Sequence, residues 1–94
     1  MSLIDRQYDY DVISVALDDA MSDTAQGLTK KINTLTVLTL EGGSLSVKLN
    51  SSSNDLITLS DGLKIEGIPI SELYWTTSVA QAGLTAEIFT AWVD

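Results

Sequence analysis

In an extended chain, the segment Leu84–Val93 places Leu84, Ala86, Ile88, Thr90 and Trp92 on one face and Thr85, Glu87, Phe89, Ala91 and Val93 on the other. Both faces carry large apolar groups. A strand of this kind fills a core with one face and leaves apolar surface on its other face. The segment from Ser71 onward reads as two strands joined by a turn at Ala80-Gln-Ala-Gly83. A helix over Ser78–Val93 is the rival reading, through Val79, Ala82, Ala86, Phe89 and Val93. Gly83 and the β-branched Thr85, Ile88, Thr90 and Val93 weigh against it.

The rest of the chain has the same period. Tyr8, Tyr10 and Val12 share one parity and Ile13, Val15 and Leu17 the other. That switch predicts a bulge or bend near Asp11–Ser14, since pairing register is tied to which face is apolar. Asp9 and Asp11 are expected on the wet face of this first strand. Asp18–Thr29 is polar and reads as a loop with at most one helical turn. Ile32–Leu40 is the clearest strand; Leu45–Leu49, Leu56–Leu59 and Leu63–Glu66 follow. Glu41-Gly-Gly43, Asn50–Asp55 and Asp61-Gly62 supply turn residues between them. Pro69 belongs at a sheet edge or a strand end, because it has no N–H to give. The expected fold is all-β: a small antiparallel β-sandwich, jelly-roll-like, of about seven short strands.

Ninety-four residues are expected to make a single domain, 1–94. Residues 1–6 are expected to be flexible or partly a cloning addition. They show no secretory signal pattern. A chain this short buries only about 60–65% of its unfolded surface, so its core is thin. With no cysteine, disulfides cannot reinforce it. Self-association is the expected remedy. The net charge of −8 repels phosphate backbones and argues against a nucleic-acid partner. No apolar run approaches the roughly 20 residues of a membrane-spanning helix, and no membrane partner is expected.

Catalytic equipment is sparse. Without His or Cys, imidazole acid–base chemistry, Ser-His triads and thiolate nucleophiles are excluded. No enzyme activity, cofactor or metal is expected. Asp18, Asp19 and Asp23, or Asn54, Asp55 and Asp61, could offer oxygens to Ca²⁺, but neither set has the EF-hand spacing. Solvated acidic loops are the plainer reading. Tyr74, Trp75, Phe89 and Trp92 form an aromatic group that can serve as core, as the anchors of an interface, or as a platform for sugars. They are the candidate interface residues.

The run Leu45-Ser-Val-Lys-Leu-Asn50, with its polar loop and the Leu56–Ile65 stretch, then Ile70-Ser-Glu-Leu-Tyr-Trp-Thr-Thr77 and Ala80-Gln-Ala-Gly83, resembles small virion proteins of tailed bacteriophages. Trp75-Thr-Thr77 stands where an aliphatic residue followed by Thr-Asn is commoner in that family. The resemblance starts at Leu45 and rests on strand-and-turn patterns. It implies a short β-sandwich on a phage head, neck or tail, in a ring or trimer, touching other virion proteins. It also implies assembly in the bacterial host cytoplasm, a place in the virion, and no catalytic residues. A carbohydrate-binding or adhesin-like module is the alternative. Exposed, coplanar Trp75 and Trp92 beside a groove would favour it.

Overall fold

The computed structural model describes residues 8–93, so the expectation for residues 1–6 falls outside it. Eight strands follow in order: β1 (Tyr8–Ala16), β2 (Met21–Gln26), β3 (Ile32–Thr39), β4 (Ser46–Leu49), β5 (Ile57–Thr58), β6 (Lys64–Ile70), β7 (Leu73–Thr77) and β8 (Thr85–Val93). There is no helix among the described residues. The strands form two antiparallel four-stranded sheets, ordered β1-β8-β3-β6 and β2-β7-β4-β5. This winding is that of an eight-stranded jelly roll. Apart from the β4–β5 hairpin, every connection crosses from one sheet to the other.

The core is the set of residues whose parity points between the sheets. Val15, Ala86, Ile88, Leu35, Val37 and Ile70 come from the first sheet; Val47, Leu49, Leu73 and Trp75 come from the second. Leu17, Leu40, Leu45 and Leu59 close the layer from the strand ends and loops. Trp75 is the largest fully buried side chain, at 2% exposure. Its indole N–H donates to Gln26 Oε1 at 3.1 Å, so the one polar atom of the ring is satisfied.

Gln81 holds the crossing turn between β7 and β8. Its backbone N–H donates to Leu17 O at 2.7 Å. Its side-chain Oε1 accepts from Ser44 N–H at 2.7 Å, and its Nε2 donates to Ser44 O and to Thr77 Oγ1, both at 3.0 Å. A Cβ on Gly43 would sit 2.7 Å from that Oε1 and 3.1 Å from Leu40 O, so the glycine makes room for the clamp. Gly83, at φ +82°, completes the turn, and its N–H donates to Asp18 Oδ1 at 2.9 Å.

Two sequence expectations are corrected. Asp18–Thr29 is not a loop: it contains β2, an edge strand paired with β7. Its sparse apolar pattern is that of an edge, with Met21 on the core and Asp23 at a register shift with φ 49°. Strand β1 has no bulge. It pairs with β8 in unbroken register from Tyr8↔Val93 to Ala16↔Thr85. The parity switch has another cause: Ile13 and Val15 point inward while Tyr10 and Val12 point outward along one straight strand. Asp9 and Asp11 therefore share the inward parity, at an end of the sandwich where they remain exposed. The two strands expected on either side of the Ala80–Gly83 turn are β7 and β8, and the turn carries the chain from one sheet to the other.

Replacing Trp75 by Ala removes the largest side chain of the core and orphans Gln26 Oε1. The expected loss is about 3–5 kcal/mol, read as a lower urea midpoint at unchanged slope.

Candidate interaction surface

The inward parity of β8 fixes what lies outside. With Ala86, Ile88 and Thr90 buried, Phe89 and Ala91 face outward from the first sheet. The register places Val12 opposite Phe89 and Tyr10 opposite Ala91 on one side, and Thr36 and Thr34 opposite the same pair on the other. Tyr10 reaches across to Phe89, with ring centroids 5.4 Å apart and planes at 22°. The stack covers part of Phe89, yet Tyr10 is 64% and Val12 49% exposed. Leu38, 50% exposed, sits at the register shift between Val37 and Thr39, beside the strand position of Glu87. The outcome is an outward apolar patch that runs from the edge strand β1 over β8 to β3. Ser14 and Glu87 bound it on one side, with the Ser14 hydroxyl donating to Glu87 Oε2 at 2.7 Å.

The four aromatic residues singled out by sequence do not converge. Phe89 is on this patch. Trp75 is in the core. Tyr74 lies on the outer face of the second sheet, where its register partners are Ala25 and Lys48. That face is polar: Lys48 Nζ pairs with Asp23 Oδ1 at 3.0 Å and donates to Ser52 O at 3.0 Å. Trp92 closes one end of the first sheet, half-buried, beside Ile32, Asn33, Gly67 and Pro69. Its buried Nε1–H has no hydrogen-bond partner among the described residues. With Trp75 buried, the exposed pair of tryptophans that a sugar platform calls for is not formed. Tyr10 and Val12 are the residues that sequence reasoning missed. Their shared parity was the available signal.

The carboxylates are also dispersed. Asp18 Oδ1 accepts from Gly83 N–H and Asp61 Oδ1 from Leu40 N–H, at 2.9 and 2.7 Å. Asp23 is in the ion pair with Lys48. Asp11 Oδ2 accepts from the Thr29 hydroxyl at 3.1 Å. No group of three or more metal-ligating side chains occurs among the described residues. Among the described residues no helix is long and apolar enough to cross a membrane. Comparison with protein-family models, curated proteins and solved structures finds no match for the chain.

Tyr74 donates its hydroxyl to the Glu72 carboxylate. That bond, then desolvation, then the repulsion between phenolate and Glu72, raises the Tyr74 pKa above the ordinary tyrosine value. The folded state holds this proton more tightly than the unfolded chain. The contribution is therefore complete below the unfolded pKa and is lost as pH rises through the folded one. Spectrophotometric titration, taken as the difference from Tyr74→Phe, is expected to show the raised value. Glu72→Gln is expected to lower it.

Proposed function

We propose that this chain is a non-enzymatic structural protein of a tailed-phage virion. It self-associates, as a trimer or ring, and packs on the capsid, neck or tail among other virion proteins, after assembly in the bacterial cytoplasm. The observation that carries the reading is the outward patch of Tyr10, Val12, Phe89 and Leu38 on a sheet whose inner face is already filled. An exposed apolar patch bordered by polar groups is the usual mark of a protein contact. Covering it supplies burial that so short a chain lacks. The resemblance of Leu45–Gly83 to small phage virion proteins supports the same reading. The net charge of −8 disfavours nucleic acid as the partner and keeps the unassembled chain soluble.

Each large aromatic ring buried at such a contact contributes about 1.5–3 kcal/mol. Phe89→Asp is expected to dissociate the oligomer in analytical ultracentrifugation while the circular dichroism spectrum stays β. Mass spectrometry of particles produced by the genome encoding this chain should find it there in stoichiometric amount. Particles without it would contradict the virion role.

A further inference from the structure

A sandwich of two open sheets has four edge strands, and each exposes main-chain groups that can template another strand. Three of the four edges here are blunted. Strand β5 has two residues. Strand β2 is broken by the shift between Met21 and Thr24, with Asp23 at φ 49°. Strand β6 carries Pro69, Gly67 at φ +81°, and a register shift against β3. The fourth edge, β1, is nine residues long and in unbroken register with β8, with no proline or glycine. Among the described residues no strand pairs with its other side.

The direction of its main-chain groups follows from the ladder. Leu17 N–H donates to Leu84 O at 2.9 Å, which turns Leu17 toward β8. Antiparallel alternation then aims the N–H and C=O of Ala16, Ser14, Val12 and Tyr10 away from β8, at the free edge.

We infer that β1 pairs edge to edge with β1 of a second copy, antiparallel about a two-fold axis centred on Val12. The charge pattern and the length of β1 together select this register. Inward residues must meet inward residues, so the strand can shift only in steps that preserve parity. Centring the pair on Asp9, Tyr10 or Asp11 sets carboxylates of Asp9 and Asp11 directly opposite one another, which is destabilising. Centring on Val12 avoids this and uses the whole of β1. Asp11 then faces the partner's Ile13, Asp9 faces the partner's Val15, and Tyr10 faces the partner's Ser14. On the outer face, Phe89 and Val12 continue through the partner's Val12 and the partner's Phe89 into one apolar row across four strands, flanked by Thr36 at each end. This gives the half-exposed Val12 a neighbour. The two aspartates thus exclude other registers of the edge. The contact is isologous and closes on itself, so it does not propagate as a fibre. It requires only a second copy and holds whether or not the chain is a virion protein.

The chain has no cysteine, so a single introduced thiol reports on this axis. Residues opposite in a hydrogen-bonded antiparallel pair have Cα atoms about 5.5 Å apart, within the span of a disulfide. Val12→Cys is expected to oxidise to a covalent dimer with the circular dichroism spectrum of the parent. Ser14→Cys, which faces the partner's Tyr10, is expected to cross-link at least tenfold more slowly. Val12→Pro removes an outward N–H without breaking the β1–β8 ladder. It should separate edge-paired copies, so that sedimentation shows a dimer reduced to single chains or an assembly of such dimers reduced to half its mass. An unchanged mass for a folded Val12→Pro chain overturns the inference. Should that variant not fold, the thiols decide, and equal cross-linking of Val12→Cys and Ser14→Cys overturns it. Dissociation by Phe89→Asp alongside an unchanged Val12→Pro mass would reject the edge and leave the face contact standing.

Discussion

The meeting of two apolar inner faces governs this molecule. Each strand has two faces, and a slip of one residue exchanges them. Once Ala86 and Ile88 must pack toward Trp75 and Leu73 across the sandwich, Phe89 has no choice but to face outward. The same holds for β1, where burial of Ile13 and Val15 sends Tyr10 and Val12 out beside Phe89. The outer patch is therefore a geometric consequence of the core, combined with a sequence that is apolar at both parities. A monomer has no use for the second set. That excess is the physical basis for proposing a partner.

The strands themselves were largely legible. Ile32–Thr39, Ser46–Leu49 and Thr85–Val93 follow from alternation and β-branched residues, and the turns at Glu41–Gly43 and Asp61–Gly62 from their glycines at positive φ. What remained hidden was non-local. A turn signal says that the chain reverses, not whether it returns to the same sheet. Ala80–Gly83 and Asp61–Gly62 both resemble hairpin turns, yet each leads across the sandwich. Strand β2 was illegible because an edge strand over a small core needs few apolar residues; Met21 and the Gln26–Trp75 hydrogen bond hold it instead. The parity switch in β1 was visible, but local pattern does not distinguish a bulge from a straight strand with two apolar faces. The pairing partner β8 decides it. The aromatic group was scattered for the same reason, since β7 and β8 belong to different sheets.

The polar residues serve folding more than chemistry. Gln81, Asp18 and Asp61 bind main-chain groups at the crossings, where strand pairing cannot satisfy them. The net charge of −8 favours solubility, while the proposed contacts concentrate on the sheet whose outer face carries the apolar patch and whose β1 edge has no strand partner among the described residues. Charge and burial act together there. In the proposed assembly the patch attracts a second copy, and Asp9 and Asp11 restrict how it can approach.

Hydrogen–deuterium exchange resolved at single amides, measured over a concentration series, tests the central claim most directly. The account predicts that the amides of Tyr10, Val12 and Ser14 exchange quickly in dilute solution and become protected as concentration rises. Those of Ile13 and Val15, bonded to β8, are slow throughout. Exchange at Tyr10, Val12 and Ser14 that stays fast at every concentration, in a chain whose Ile13 and Val15 amides remain protected, would contradict it.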